Sequence, residues 1–466
     1  MRNTFLPFSP PLIGEEEIAE VLDTLRSDWI TTGPKVKRFE QEFAEFIGAP
    51  AALAVSSATD AMQVALAALG IGPGDEVITT TMTFCSTVHV IEHVGARPVL
   101  VDVLPDTLTL DPARVAEALT PHTRALLPVH LYGHPCEMDA LLELAQQHHL
   151  AIVEDAAHAL PARYKGRLIG APLSDQHPAA NNQLPVTSNQ QPASSNQLPA
   201  TSSQLPATSN QLPASSNQLP ATSNQPPATS IQQPVSSNQH PATSLQPPAS
   251  SIQQSATCFS FYATKNLTTA EGGMVTGEAD LIDRARIWSL HGMSRDAWKR
   301  YGTVGSWYYE VVLPGFKCNM TDIQAALGLQ QLHKLPQFQQ RRREIVRQYQ
   351  AAFAAMPELQ TPTERPEAES AWHIYALRLN LEQLRIDRAQ FIQELTARNI
   401  GTSVHFIPNH LQPYYRDKYG YRAEDFPVAY REYQRLISLP LNLRLSDADV
   451  EDVIEAVKDI VEVFKR

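Results

Sequence analysis

A proline repeat without charged residues interrupts this chain. Eleven prolines recur at intervals of seven residues from Pro178 to Pro248, and no Asp, Glu, Lys or Arg stands between Asp175 and Lys265. A coiled coil tolerates no proline in every heptad, because each proline inside a helix costs about 3 kcal/mol. One Leu or Ile per repeat also buries too little surface to offset chain entropy. We therefore predict that residues 176–255 form a disordered, low-complexity surface insertion.

The role of the insertion has two interpretations. A long surface loop adds little closure entropy, so the repeat can be a tolerated expansion without function. Alternatively it is a spacer or a binding segment, although the repeats hold no PxxP pair and no charge that would indicate a particular partner.

Bulk composition excludes several classes of protein. The net charge of −12 disfavours nucleic-acid binding, and the one basic cluster, residues 341–343, fits a solvated helix face. No apolar run approaches the ~20 residues of a membrane span, and the amino-terminal residues lack the apolar region of a signal peptide. The four cysteines are far apart and form no CxxC, which predicts neither a disulfide framework nor a metal site. We expect a cytoplasmic protein.

Strand and helix patterns alternate on the amino-terminal side of the insertion. Short apolar runs such as Ala51–Val55 and Ala151–Glu154 are separated by amphipathic stretches at the spacing of βαβ units. This predicts an α/β fold, with a mostly parallel sheet covered by helices on both faces. We expect one large domain from residues 1–175 and 256–335, and a smaller α+β domain from residues 336–466.

Three groups on this framework predict a cofactor. Asp155 follows a strand, Ser56–Asp60 joins a strand to a helix whose free N–H groups can hold a phosphate, and Lys265 lies shortly after another strand. Pyridoxal 5′-phosphate needs a lysine for its Schiff base, an Asp for its pyridine nitrogen and a cradle for its phosphate. Each feature alone is common, as a surface lysine, a helix cap or an N-cap, but the combination in this order is specific.

The chain resembles the DegT/DnrJ/StrS family of sugar aminotransferases from about Pro7 to Val461, leaving out the insertion. Within that family the resemblance is strongest to the UDP-4-amino-4-deoxy-L-arabinose aminotransferase group, on Trp29–Pro34, Ser56–Thr59 and the stretch from Leu290 to Trp298. His130–Gly133 departs from that group and is more generic for the family. The strings that carry the family resemblance are Trp29–Pro34, Val55–Thr59, Gly72–Ile78, Glu154–His158, Ser260–Asn266 and Glu271–Met274.

The resemblance implies the fold type I, aspartate aminotransferase-like architecture and a role for each matching residue. Lys265 would form the Schiff base and later move protons, Asp155 would pair with the pyridine nitrogen, and His158 would lie beside the ring. Phe84 would stack on the ring, and His405 would face the sugar; for these two and for His158, an ordinary core or structural role is also open. The phosphate contacts would come from Ala58, Thr59 and Ser260, and from Asn319 of a neighbouring subunit.

These roles predict an enzyme that moves an amino group from glutamate to a keto group of a nucleotide-linked sugar. The pathway stays open between polysaccharide biosynthesis, lipid modification and the synthesis of a secondary metabolite. The implied assembly is a homodimer with shared active sites. Lys265 disfavours the related sugar dehydratases, which carry His at that position. Three further functions stay open: a non-catalytic regulatory protein that retains the fold, a scaffold organised by the repeat, and an enzyme whose site the insertion has disrupted.

Overall fold

The computed structural model describes residues 2–172, 254–294 and 309–466. The predicted insertion lies outside these ranges except for its last two residues. The segment from Asp296 to Trp298, which carries part of the family resemblance, also lies outside the described residues.

Helices alternate with strands in the first part of the chain and dominate its last third. The described residues form the α-helices α1 (Glu15–Arg26), α2 (Pro34–Ile47), α3 (Ala58–Ala68), α4 (Cys85–His93), α5 (Pro112–Ala118), α6 (Met138–Gln147), α7 (Ala279–Ser289), α8 (Asp322–Phe353), α9 (Arg388–Ala397), α10 (Pro413–Tyr419), α11 (Pro427–Arg435) and α12 (Asp447–Phe464).

Local sequence signals set many of the helix ends. Thr321 and Gln324 form a reciprocal capping box at the start of α8, in which each side chain accepts the other residue's N–H group. Ser446 and Asp449 do the same at α12. These contacts satisfy N–H groups that have no partner within the helix.

A seven-stranded sheet forms the centre of the protein, in the order β1-β9-β8-β5-β4-β2-β3. Strand β9 is antiparallel to both of its neighbours, and the other pairings are parallel. The described strands are β1 (Ala51–Val55), β2 (Glu76–Thr80), β3 (Arg97–Val101), β4 (Thr123–Leu127), β5 (Ala151–Asp155), β6 (Arg163–Tyr164), β7 (Arg167–Leu168), β8 (Ser255–Ser260), β9 (Gly273–Gly277), β10 (Leu359–Gln360), β11 (Ala368–Glu369), β12 (Tyr375–Leu379) and β13 (Leu436–Leu439).

Two apolar cores lie on opposite faces of this sheet. In β1, Leu53 and Val55 pack with α3, α4 and α7, whereas Ala52 and Ala54 pack with α2, α5, α6 and the first half of α8. The α/β class, the mostly parallel sheet and the helices on both faces are therefore confirmed.

A third core gathers the carboxy-terminal elements. The second half of α8 packs with α9, α12 and the small sheet β10-β12-β13. Helix α8 contributes to both parts of the chain and runs without interruption through Pro336. The domain boundary expected between residues 335 and 336 remains a prediction.

Strand β8 begins earlier than the sequence indicated. It starts at Ser255, inside the predicted insertion, rather than at Cys258. Residues 255–257 share the Ser, Ala and Thr composition of the repeat, but all three pair with β5, and Ala256 and Thr257 also pair with β9. Sheet pairing thus overrides the local composition at this position.

Candidate active site

A cavity of about 470 Å³ lies at the carboxyl ends of the central strands. The amino end of α3, the segment after β2, the end of β5 and the turn after β8 form most of its wall, and carboxy-terminal residues complete it. The parallel topology thus brings together residues that are far apart in sequence. The predicted site residues that line the cavity are Ala58, Thr59, Phe84, Asp155, His158, Ser260, Lys265 and His405.

The amino end of α3 presents unpaired N–H groups to this cavity. Ser57 is the N-cap, and its hydroxyl accepts the N–H of Asp60 at 3.0 Å. The Asp60 carboxylate in turn accepts the hydroxyls of Ser56 and Ser57. The first N–H groups of a helix have no partner within it, so those of Ala58 and Thr59 can bind an anion.

Gly273 allows strand β9 to approach this helix end closely. A Cβ atom at this position would lie 2.4 Å from the carbonyl carbon of Ser57 and 2.7 Å from the nitrogen of Ala58. Both are backbone atoms, which cannot move aside as a flexible side chain can. The position of the α3 amino end therefore depends on a glycine here.

Asp155 ends β5 with its carboxylate buried; the residue is 5% exposed. Its two oxygens accept hydrogen bonds from the Thr87 hydroxyl at 2.7 Å and from the Ala157 N–H at 3.1 Å. Burial raises the pKa of this carboxyl, while these bonds and the charge of Lys265 oppose the rise. A buried carboxylate of this kind is stabilised by a cationic partner.

Lys265 lies in a turn after β8, where its N–H donates to the Tyr262 carbonyl at 2.9 Å. The side chain is half-buried in the cavity wall. Burial lowers the pKa of the Lys265 amine to about 8, and the charge of Asp155 opposes this effect. A substantial fraction of the amine is therefore neutral, and nucleophilic, near physiological pH.

Two buried histidines beside Lys265 are held in defined tautomers. The Tyr132 N–H donates to Nδ1 of His158 at 3.2 Å, which places the His158 proton on Nε2. Nδ1 of His373 lies 3.1 Å from the Asn266 side-chain oxygen and donates to it. The Asn266 amide orientation follows from its Nδ2, which donates to two backbone carbonyls. Burial lowers the pKa of both imidazoles well below the usual value, so both stay neutral.

Aromatic side chains form the outer wall of the cavity. Phe84 is 56% exposed, which excludes an ordinary core role, and its ring centroid lies 5.7 Å from that of Phe406. Phe406 also stacks on His158 at 5.8 Å. Together these rings leave an aromatic face toward the cavity that a planar ligand can contact.

The segment that carries His405 and Phe406 is fixed at both ends. On one side Ser403 pairs with Ser438 of β13, and on the other the Asn409 N–H donates to the Thr81 carbonyl at 2.8 Å. Nδ1 of His405 lies 2.8 Å from the Ser438 hydroxyl, and burial lowers the pKa of this imidazole to about 4. His405 is therefore neutral at physiological pH.

Asn319 is the one predicted site residue that does not line the cavity of its own chain. Its Nδ2 donates to the Thr32 hydroxyl, and its Oδ1 accepts from Lys317. Its backbone pairs with Val55, at the end of β1 just before the amino end of α3.

Several cavity residues were not predicted from the sequence. His373, Phe406, Tyr262 and Glu271 line the cavity. Thr87 is not part of this lining, but its hydroxyl donates to Asp155. The apolar alternation of residues 372–379 predicts a strand but gives no sign that His373 would line the same cavity as Lys265. Tyr262 and Glu271 lie within strings that carry the family resemblance, so those strings hold the sequence signal for both residues.

The described parts of the chain show neither a metal centre nor a membrane span. No group of three or more His, Cys, Asp or Glu side chains within residues 2–172, 254–294 and 309–466 is arranged to hold a metal ion. Among the helices of the same ranges, none is both long and apolar enough to cross a membrane.

Comparison with known proteins gives consistent matches. A model of the DegT/DnrJ/EryC1/StrS aminotransferase family matches residues 11–174 and 239–458. The spore coat polysaccharide biosynthesis protein SpsC of Bacillus subtilis is 45% identical over 462 residues, which cover 99% of this chain and 98% of that protein. The uncharacterized protein MJ1066 of Methanocaldococcus jannaschii is 42% identical over 462 residues, covering 99% of each chain.

Solved structures show the same similarity. The putative sugar aminotransferase Spr1654 from Streptococcus pneumoniae, in its PMP form, is 33% identical with a TM-score of 0.77, covering 98% of this chain and 99% of that one. DesV of S. venezuelae, in complex with a ketimine intermediate, is 31% identical with a TM-score of 0.74 at the same coverage.

Proposed function

This chain belongs to the DegT/DnrJ/EryC1/StrS aminotransferase family, and from that premise we propose that it transfers the amino group of glutamate to a keto group of a nucleotide-linked sugar. As a member of the family it is a pyridoxal-phosphate-dependent sugar aminotransferase. The amino donor, the nucleotide and the particular sugar form the proposed part of this statement.

The proposal is carried by the juxtaposition of Lys265 and Asp155 in one cavity. The half-buried amine has a pKa lowered to about 8, so it can act as a nucleophile and as a base near neutral pH. Asp155 is a buried carboxylate that lacks a directly bonded cation among the described residues. A ligand with both a carbonyl group and a protonated ring nitrogen satisfies the two side chains together.

The cavity fits the cofactor at its other end as well. The N–H groups of Ala58 and Thr59 lie at the amino end of α3, where the helix dipole stabilises a phosphate, and Ser260 lines the same cavity. Gly273 keeps that helix end in place. Phe84 would cover one face of the ring, and the Nε2 proton of His158 can donate a hydrogen bond to a ring substituent.

When bound, pyridoxal phosphate supplies an aldehyde that takes up the amino group and a ring that withdraws electrons from the reacting carbon. Lys265 would hold the cofactor covalently and, once released, would move a proton at Nζ between the cofactor and the substrate carbon. Asp155 would keep the ring nitrogen protonated. Burial lowers the pKa of His158, His373 and His405 well below that of Lys265, so these imidazoles are weaker bases and would not take the transferred proton from it.

We also propose that the enzyme works as a homodimer with shared active sites. Asn319 matches a family asparagine that reaches the phosphate in the neighbouring subunit, and it stays outside the cavity of its own chain. The Asn319–Thr32 bond connects it to residues 29–34, one of the strings that carry the family resemblance. Sedimentation of the purified protein, together with Asn319→Ala, tests this arrangement.

The name of SpsC supports a place for this chain in polysaccharide biosynthesis. A nucleotide-linked keto sugar, such as the precursor of UDP-4-amino-4-deoxy-L-arabinose, would be an acceptor of this class. We propose a cytoplasmic location, because nucleotide-linked sugars are made there.

A non-catalytic regulator or scaffold is the alternative function, and the geometry disfavours it. Strand β8 pairs with β5 from Ile152–Ser255 to Asp155–Cys258, so the chain that follows the insertion still reaches the sheet. Ser260 and Lys265 consequently lie in the same cavity as Asp155. A scaffold would have no need of a lysine with a lowered pKa beside a buried carboxylate.

The test is an absorbance spectrum of the purified protein before and after adding glutamate, followed by assays with UDP- and dTDP-linked 4-keto sugars. We expect a visible band from the bound cofactor that disappears with glutamate and returns with an accepted keto sugar. A protein that binds no added pyridoxal phosphate would contradict the proposal. A band that glutamate leaves unchanged, while another amino acid removes it, would contradict the choice of donor.

A further inference from the structure

A short chain of buried hydroxyl groups leads from the cavity wall, at Thr83, to the carboxylate of Asp155. The Thr87 hydroxyl donates to Oδ2 of Asp155 at 2.7 Å, and the Thr83 and Thr87 hydroxyls are 2.9 Å apart. Thr87 is fully buried and Thr83 is 2% exposed. Thr87 belongs to the first turn of α4, and Thr83 to the segment between β2 and α4.

The direction of these hydrogen bonds follows from the charge of the carboxylate. An ionised carboxylate only accepts hydrogen bonds, so the single proton of the Thr87 hydroxyl points to Asp155. The oxygen of Thr87 then accepts the proton of Thr83. The result is an ordered relay from Thr83 through Thr87 to Asp155, in which each bond polarises the next.

We propose that Thr87, supported by Thr83, is a positioning residue that keeps Asp155 ionised and aimed at the cofactor's ring nitrogen. The proposal rests on the role of Asp155 given under the proposed function. It adds that this role depends on a hydroxyl that does not itself touch the cofactor.

The physical reason is the competition between two sites for one proton. Burial raises the pKa of Asp155, which favours a neutral carboxylic acid. The Thr87 bond is the largest of the interactions that oppose this rise, followed by the Ala157 N–H and the charges of Lys265 and His130. Without the hydroxyl, the proton shared by the carboxylate and the ring nitrogen moves toward the carboxylate. The ring then loses the positive charge that makes it an electron sink.

The experiment compares Thr87→Val, which removes the hydroxyl at nearly constant volume, with Thr87→Ser, which retains it. Two properties are measured for each purified variant: the dissociation constant of pyridoxal phosphate, and the pH at which the absorbance of the bound cofactor changes. We expect Thr87→Val to bind the cofactor about 10- to 100-fold more weakly, as for loss of a hydrogen bond to a charged group. Its absorbance transition should move to higher pH. A neutral ring nitrogen would no longer favour deprotonation of the nitrogen through which Lys265 would hold the cofactor. Thr87→Ser should resemble the unaltered protein in both properties.

Thr79→Val is the matched control for a buried threonine. Thr79 is fully buried, and its hydroxyl donates to the Leu127 carbonyl at 2.7 Å, with no bond to Asp155. We expect this variant to keep the absorbance transition at its original pH even where its stability falls. An equal shift of the absorbance transition in Thr79→Val and Thr87→Val would overturn the inference, because a general loosening of the packing would then explain both variants.

Asp155→Asn separates the inference from the proposed function. If Asp155→Asn weakens cofactor binding and shifts the absorbance transition while Thr87→Val changes neither, the relay plays no part and the inference is wrong. If Asp155→Asn also changes neither, the assignment of Asp155 is wrong and the inference falls with it.

Discussion

Ile152 and Ser255 are partners in the parallel pairing of β5 and β8, at the opposite end of these strands from Asp155 and Ser260. Five steps along β8 separate Ser255 from Ser260, which is roughly 16 Å of extended chain. The chain that follows the repeat therefore enters the sheet at the amino end of β8, which is the end of the strand away from the cavity.

The first prediction is that shortening the repeat leaves catalysis unchanged. Deleting residues 183–246 removes most of the repeat but retains residues 173–182 and 247–253 to connect the described residues on either side. Because β8 begins at the end of the sheet away from the cavity, we expect kcat and KM to stay within about twofold of the values for the full chain. The free energy of unfolding should change little. Steady-state kinetics on both proteins provide the check. A loss of cofactor binding on deletion would instead favour the scaffold function.

The second prediction concerns Lys265. Lys265→Ala should fold, since the side chain is half-buried and has no bonded partner among the described residues, but turnover should fall at least about 10³-fold. The variant should also lack the visible band of covalently bound cofactor. Lys458→Ala, an exposed lysine on α12, serves as the control and should behave as the unaltered protein. Retained turnover in Lys265→Ala would refute the assignment.

The third prediction is a pH dependence of cofactor attachment. Only the neutral amine attacks the aldehyde, and the pKa of Lys265 is lowered to about 8. The attachment rate to cofactor-free protein should rise about tenfold per pH unit up to pH 8 and level off above it. Stopped-flow absorbance measures this rate. A rate that still rises steeply between pH 9 and pH 10 would mean that the amine is unshifted.

The fourth prediction concerns the close approach at Gly273. In Gly273→Ala the new methyl group would overlap the backbone of Ser57 and Ala58, so the strand or the helix end must move. We expect a loss of about 1–3 kcal/mol in the free energy of unfolding, and weaker binding of the cofactor phosphate. Gly72→Ala is the control, because its Cβ would meet only the Val94 carbonyl, at 3.7 Å. Thermal unfolding and cofactor titration distinguish the two; equal behaviour would argue against a tight packing requirement.

The parallel sheet, and the presence of Asp155 and Ser260 in one cavity, were predictable from the sequence for one reason. In a parallel α/β fold the ligand groups follow the strand ends, so Asp155 and Ser260 could be located once β5 and β8 were recognised. The start of β8 was misplaced because Ser255 and its neighbours resemble the repeat, and only their pairing in the sheet shows that they form a strand.

The remaining cavity residues depend on tertiary contacts that leave no periodic pattern. His373 is held in the cavity wall by its bond to Asn266, the residue after Lys265, and Phe406 is placed by the attachment of Asn409 to Thr81. Thr87 was missed because a buried threonine in a helix has the same sequence appearance whether it donates to a carboxylate or to a backbone carbonyl.

The attachment of residues 403 and 409 has a practical consequence for engineering. The wall that carries His405 and Phe406 is a short segment attached at Ser403 and at Asn409. The central sheet, Lys265 and Asp155 lie outside this segment. A library randomised at residues 404–407 would therefore vary the shape of this wall of the pocket, where we propose that His405 faces the sugar, while every member inherits the same amine and carboxylate. Selection from such a library is a direct route to transaminases for keto sugars that the natural enzyme does not accept.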